Sequence, residues 1–178
     1  MEQYVLIFLG LLLFLGFLRS FFTVKQQTAA IVERFGRFHS IRTSGLHLKI
    51  PFVDKIVARV GLKIQQLDVI VETKTKDDVF VKLKVSVQYV VIREKVYEAF
   101  YKLEYPHDQI TSYVFDVVHA EVPKMKLDDV FVKKDDIAIA VKSELQDAML
   151  DYGYDIIKTL VTALEAFYSL LLLLLFLR

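Results

Sequence analysis

The sequence predicts an α+β fold in which an N-terminal membrane segment precedes an antiparallel β-lobe and then an α/β lobe. Three observations support this prediction. The chain begins with an uninterrupted apolar run, Tyr4 to Leu18; the stretch from Lys63 to Ile92 alternates between apolar and polar residues; and after Arg93 the apolar residues recur at helical spacing. The 178 residues are enough for one domain or two small ones, and we expect lobes at 25–92 and 93–162.

Residues 1–24 are expected to anchor the chain in a membrane. The apolar run is about 15 residues long, short of the ~20 that span a bilayer comfortably; continuing to Val24, with the Arg19 side chain reaching the headgroups, gives a marginal span. A single span and a re-entrant hairpin both fit, whereas a cleaved signal peptide would need a basic start and a small-residue cleavage site. The side chains expected to contact lipid are Tyr4, Leu6, Phe8, Leu11, Leu12, Leu13, Phe14, Phe17, Leu18, Phe21 and Phe22.

Basic residues lie after this run and outnumber acidic ones as far as Lys76. The positive-inside rule therefore places the body of the protein on the cytoplasmic face of a cell membrane. Basic residues interleaved with aromatics also occur in nucleic-acid-binding proteins, but a pI near 7.9 and the adjacent apolar segment favour lipid headgroups. The residues expected at the membrane surface are Arg19, Lys25, Arg34, Arg37 and Arg42.

The β-lobe is expected to hold several short strands and one long hairpin. Thr28 to Phe35 predicts a strand that turns at Gly36 and returns; Leu46 to Ile50 and Val53 to Val60 predict two more. In the hairpin, Thr75 to Asp78 forms the loop. The residues expected on its buried face are Val79, Val81, Leu83, Val85, Val87, Tyr89 and Val91.

Three helices and a returning strand are expected in the second lobe. The first helix carries Val96, Ala99, Phe100 and Leu103 on one face. Asp108 is expected to cap the second helix, which Pro123 ends, and Asp135-Asp136 to cap the third, with Gly153 as its C-cap. The final strand is expected at Ile156 to Thr162. The inward residues of the second and third helices are Ile110, Tyr113, Val114, Val117, Val118, Ile137, Val141, Leu145, Ala148 and Met149.

Residues 163–178 do not continue this pattern. They end in an apolar run, Leu170 to Leu177, that is too short to span a membrane. The run fits an interfacial segment, a segment docked on the N-terminal one, or a low-complexity ending.

No pattern in the chain predicts catalysis, a metal or a cofactor. The six glycines do not form a nucleotide-binding loop, and there is no G-x-S-x-G or H-E-x-x-H sequence. The chain has no cysteine, and its four histidines are scattered. The pairs Asp77-Asp78, Asp128-Asp129 and Asp135-Asp136 lie at expected turns or helix starts, where aspartate binds backbone N–H groups. We therefore expect a protein that is not an enzyme.

Several collinear motifs resemble the stomatin/prohibitin/flotillin superfamily, also called the SPFH or Band 7 domain, and most of all its hypersensitive-induced-reaction proteins and their bacterial relatives. The resemblance spans about Val24 to Thr162. The residues that carry it are Val32–Phe38, Gln65–Val69, Glu72–Asp77, Ser86–Tyr89, Ala99–Leu103, Tyr113–Val117, Val122-Pro123, Leu127–Asp129 and Tyr152–Tyr154.

The resemblance implies a β-lobe on the membrane, an α/β second lobe and a scaffold that self-associates and organises membrane microdomains. Some family members restrain a membrane AAA protease or a channel, which is the alternative; the face with Lys142, Glu144 and Asp147 would then make the contact. The chain lacks the N-terminal Gly and Cys acylation sites of plant members, and from about Ala163 it departs from the long coiled coil with which family members continue.

Overall fold

The computed structural model describes Gln3, Tyr4, Ile7, Gly10, Phe17 and residues 19–168. For residues 163–168 it describes the backbone alone. The chain forms two compact units, Met1–Lys63 and Ile64–Arg178, called here the N-terminal and C-terminal units. This division comes earlier than the lobe boundary expected after residue 92. The reason is that the long hairpin pairs with the last strand of the chain, so it belongs with the helices rather than with the short strands.

The N-terminal unit consists of short antiparallel strands, as expected. The strands form a two-stranded sheet, β1–β4, and a three-stranded sheet in the order β3–β2–β5. Its core is small and centres on β2, where Ala29, Ala30, Ile31 and Val32 are buried in succession. The strands are β1 (Phe21–Val24), β2 (Thr28–Arg34), β3 (Arg37–Arg42), β4 (Gly45–Leu48) and β5 (Asp54–Gly61).

The end of the expected anchor differs from the prediction. Phe21 and Phe22, which we assigned to a membrane segment reaching Val24, lie in β1 and pair with Leu48 and His47 of β4. Backbone hydrogen bonds to a neighbouring strand override the apolar composition here. The prediction that a membrane-spanning segment continues through Phe21 and Phe22 to Val24 is therefore wrong.

The rest of the expected anchor remains a prediction. Among the described residues, no helix has both the length and the apolar composition needed to cross a membrane. Tyr4 and Phe17 are helical and exposed. Outside the described residues lie Leu6, Phe8, Leu11, Leu12, Leu13, Phe14 and Leu18.

The C-terminal unit is built on one antiparallel sheet in the order β6–β7–β8. Every second residue of β7 is buried from Val79 to Val91, so the predicted inward face of the hairpin is confirmed. Helix residues on the expected faces, among them Ile110, Val114, Val141 and Leu145, are also buried. The elements are β6 (Gln65–Lys74), β7 (Val79–Val91), α1 (Val96–Tyr101), α2 (Pro106–Glu121), α3 (Leu127–Val132), α4 (Lys134–Leu150) and β8 (Tyr154–Tyr168).

The helix starts differ from the expected aspartate caps. Helix α2 begins at Pro106, whose fixed φ suits the first helical position, so Asp108 lies within the first turn. Helix α4 begins at Lys134, and Asp135 and Asp136 also lie in its first turn. There their negative charges stabilise the helix by interacting with the positive end of its dipole, rather than by capping it.

The connection from α4 to β8 requires a glycine, although not as the expected C-cap. The helix ends at Leu150 and is capped by Asp151, two residues before Gly153. Gly153 has φ +84°, and a Cβ there would lie 2.5 Å from the carbonyl oxygen of Lys95. Glycine is therefore needed for both its conformation and its lack of a side chain.

Strand β8 extends beyond the expected Thr162. Its pairing with β7 continues to Tyr168 opposite Val79, after a bulge near Ala163. Residues 163–168 therefore continue the sheet rather than begin a separate tail. The remainder of the predicted tail, residues 169–178, lies outside the described residues.

Candidate functional site

An ion pair between a partly exposed arginine and a buried aspartate fixes one end of the N-terminal unit. Asp54, at the start of β5, accepts hydrogen bonds from Arg34 Nε to Oδ1 at 2.7 Å and from Arg34 Nη2 to Oδ2 at 3.2 Å. The backbone N–H of Ile50 donates to the same carboxylate at 2.9 Å. The Arg34 hydrogen bond, followed by the Ile50 N–H, lowers the pKa of Asp54 to about 2. The pair thus ties β2, β5 and the loop before β5 together.

Two exposed phenylalanines lie beside this ion pair, each in a strained backbone conformation. Phe35 follows Arg34 in the β2–β3 turn and has φ 51°; Phe52 lies in the loop before β5 and has φ 69°. Their exposed fractions are 80% and 97%. The two loops are joined by a hydrogen bond from Phe35 N–H to the Val53 carbonyl at 3.4 Å. We call Phe35, Ile50 and Phe52 the aromatic tip.

A positive φ is unusual for a bulky residue, since it brings Cβ close to the backbone and costs about 1–2 kcal/mol. Exposing a phenyl ring to water gains nothing in return. Strained residues that present apolar groups to solvent are typical of binding sites. The aromatic tip is therefore a candidate contact surface.

A second exposed apolar surface lies on the two-stranded sheet, whose strand β4 ends shortly before the tip residues Ile50 and Phe52 in the sequence. In the two-stranded sheet Phe21 pairs with Leu48 and Thr23 with Leu46, so Phe21, Leu46 and Leu48 lie on one face. Leu46 and Leu48 are 66% and 62% exposed. The Phe17 ring contacts that of Phe21 edge-on, with centroids 5.2 Å apart. We call Phe21, Leu46 and Leu48 the apolar ribbon.

The five cations predicted at the membrane surface do not lie together. Arg37 is exposed and follows the β2–β3 turn at the tip. Arg19 is close to the tip through its neighbour Ser20, whose carbonyl accepts a hydrogen bond from the N–H of Lys49, the residue before Ile50. Arg34 is also at this end, but its guanidinium is held by Asp54. Lys25 follows the opposite end of β1, and Arg42 is five residues along β3 from Arg37, roughly 16 Å away.

Most of the exposed apolar residues were not recognised from sequence. Leu46 to Ile50 was predicted as a short strand that ends at Pro51, and the apolar face of such a strand is normally buried. What reveals the surface is that no described element of this unit covers Leu46, Leu48 and Phe52. Composition carries no signal for this, although the Phe35-Gly36 and Pro51-Phe52 pairs do mark turns.

Several polar groups of the C-terminal unit that could suggest chemistry have structural partners. Asp77 accepts hydrogen bonds from Thr75 Oγ1 at 2.6 Å and from the Leu127 N–H at the start of α3 at 3.1 Å. His107 Nε2 lies 2.6 Å from the Tyr89 hydroxyl, and His119 Nε2 lies 3.2 Å from the Glu72 carbonyl. Within the described residues, no three His, Asp or Glu side chains come together as metal ligands would.

Comparison with known proteins identifies the family. The pattern of the SPFH domain / Band 7 family matches residues 22–166. Hypersensitive-induced response protein 4 of Arabidopsis thaliana is 46% identical over 134 residues, which cover 75% of this chain and 46% of the relative. Mitochondrial stomatin-like protein 2 of Homo sapiens is 32% identical over 131 residues, which cover 73% of this chain and 36% of the relative.

The chain thus spans less than half the length of these relatives. The match begins within β1 and extends into the last residues of β8, so it includes most of both compact units, the aromatic tip, and Leu46 and Leu48 of the apolar ribbon. The chain therefore belongs to the SPFH domain / Band 7 family, whose members are generally membrane-associated scaffold or regulatory proteins and not enzymes.

Proposed function

We propose that this chain is a membrane-anchored scaffold that self-associates and organises membrane microdomains and their protein partners, and that the aromatic tip and apolar ribbon rest in the lipid interface. The observation that carries this proposal is the pair of exposed phenylalanines with positive φ, held in place by Arg34 and Asp54. The N-terminal apolar segment of the sequence adds to it.

The energetics favour lipid as the occupant of this surface. Burying one phenylalanine side chain in an apolar environment contributes about 1.5–3 kcal/mol, so two rings exceed the cost of their backbone conformation. Arg19 and Arg37 are both exposed, and a cation near the surface of an anionic membrane contributes about 1 kcal/mol to binding. Two weak signals of this kind are what stable interfacial binding requires.

A tryptophan reporter tests the placement directly, because the chain contains no tryptophan. In the variant Phe52→Trp, the full chain reconstituted in vesicles containing anionic lipid is expected to show blue-shifted emission that brominated lipid quenches. Phe131→Trp is the matched control, since Phe131 is also an exposed phenylalanine but lies in α3. Water-like, unquenched emission at position 52 would contradict the proposed lipid contact.

Self-association is tested by the mass of the detergent-extracted chain, measured by light scattering after gel filtration. A particle of many subunits is expected if the two units and the anchor are sufficient for assembly. A monomer would contradict the scaffold part of the proposal and leave the lipid contact standing.

The alternative, regulation of a membrane AAA protease or a channel through the face with Lys142, Glu144 and Asp147, has less support. The Lys142 ammonium group donates to the Ile157 carbonyl at 2.9 Å, so it already has a structural partner. Charge reversal at Glu144 and Asp147 would abolish co-purification of a protease if that face binds one.

A further inference from the structure

Strand β8 lies at an edge of the C-terminal sheet. In the described part of the chain it pairs with β7 alone. Near its start, α4 covers the free edge: Ile156 N–H donates to Gln146 Oε1 at 3.2 Å, and Lys142 binds the Ile157 carbonyl. Thr159 is also covered by α4, since its hydroxyl donates to the Ala138 carbonyl at 2.6 Å. From Leu160 to Thr162, no described side chain forms a hydrogen bond with the backbone of β8. An edge of this kind can accept a further strand.

A small cavity lies beside this part of β8. It has a volume of about 170 Å³ and is lined by Leu83, Val130, Phe131, Lys134, Val161 and Thr162. An apolar cavity of about 150 Å³ is large enough to hold benzene. The space therefore fits one leucine or phenylalanine side chain and is too small for an acyl chain or a nucleotide.

Among the described residues that line the cavity, Lys134 is the one that carries a charge, and it is the first residue of the 17-residue helix α4. It is exposed, and no described carboxylate forms an ion pair with it. The neighbouring Asp135 and Asp136 do not line the cavity. A helix start adds partial positive charge to that of the ammonium group. An apolar side chain in the cavity would thus have a cation beside its backbone.

We propose that β8 and this cavity form a binding site for the C-terminus of a partner polypeptide. The peptide pairs with β8 as an added strand, its last side chain, aliphatic or aromatic, fills the cavity, and its terminal carboxylate pairs with Lys134. In a C-terminal residue the carboxylate and the side chain share one Cα, which matches a cavity that is apolar but has a single cation in its lining. This site is independent of the proposed lipid contact.

The test uses the full chain in detergent and a fluorescein-labelled peptide of six alternating threonines and valines followed by a C-terminal leucine. Saturable binding is expected by fluorescence anisotropy. A C-terminal amide or a C-terminal alanine should weaken binding at least about tenfold, because the first removes the charge and the second leaves the cavity unfilled.

The variant Lys134→Glu should also weaken binding at least about tenfold, whereas Lys102→Glu should not change it. Both lysines are exposed in the same unit, and Lys102 does not line the cavity, so the pair separates a local effect from general charge. Circular dichroism checks that both variants are folded.

Three results would overturn the proposal. The first is absence of binding, or equal binding of the acid and amide peptides. The second is binding that appears only after removal of residues 169–178, which would assign the cavity to this chain's own apolar segment. The third is a dimer of this chain that the peptide dissociates only at saturating concentration. This result would assign the site to a second copy of the chain.

Discussion

The two compact units differ in whether the apolar residues of their alternating strands are covered. In the C-terminal unit, Leu83 and Val85 of β7 are fully buried beneath helices. The N-terminal unit has few buried apolar residues, and some of them are alanines, while Leu46, Leu48 and Phe52 are largely exposed. Alternating apolar sequence thus builds a core in one unit and a surface in the other. An apolar pattern therefore specifies a face, and the neighbouring elements decide whether that face is covered.

The largest contrast should come from one leucine in each unit. Leu83→Ala removes a fully buried side chain from the centre of β7 and should lower the free energy of unfolding by about 2–5 kcal/mol. Leu48→Ala removes an exposed one and should change it by less than about 0.5 kcal/mol. Denaturant titration of both variants measures this. Equal losses would mean that the ribbon is buried and not a surface.

Two glycines with positive φ provide the next comparison. Gly153→Ala should destabilise by about 2 kcal/mol or more, because a left-handed backbone is combined with a contact to the Lys95 carbonyl. Gly36→Ala, with φ +76° and open space around it, should incur only the conformational cost of about 1 kcal/mol. Thermal unfolding distinguishes them, and a larger loss at Gly36 would contradict this account of the α4–β8 connection.

The Arg34–Asp54 pair predicts that the stabilisation contributed by Asp54 depends on pH. Because the folded pKa of Asp54, about 2, lies below the ordinary value of 3.8, its stabilisation is full above about pH 4 and is lost as the pH falls toward 2. The difference in unfolding free energy between the wild type and Asp54→Asn should shrink over that range. A constant difference would show that the carboxylate is not held in its ionised form by Arg34.

The smallest effect on stability should accompany a clear effect on binding. Phe35→Gly and Phe52→Gly relieve the strained φ but loosen the unfolded chain, so the net change should stay within about 1 kcal/mol. Each should nevertheless weaken association with anionic vesicles in flotation assays. Phe131→Gly, an exposed residue of α3, is the control that should leave vesicle binding unchanged. A tip variant that binds vesicles as well as the wild type would remove the aromatic tip from the lipid contact.

Elements with a strong apolar period could be predicted from the sequence. Period-two alternation in β7 and helical spacing in α2 and α4 fixed both the element types and their buried faces, because burial of one face is the dominant stabilising term. The family motifs lie along the same elements. Helix starts were harder to predict. The fixed φ of Pro106 starts α2 ahead of Asp108, and the end of α3 just before Lys134 starts α4 ahead of Asp135 and Asp136.

Which apolar residues stay uncovered and which strands pair with one another depend on tertiary contacts. Phe21 and Phe22 continue an apolar run in the sequence, yet backbone pairing with β4 makes them a strand. The hairpin joins the C-terminal unit because β8, more than sixty residues later, pairs with β7. The exposure of Phe35 and Phe52 depends on Asp54 holding two separate turns together. Such contacts join distant residues, and no local pattern contains them.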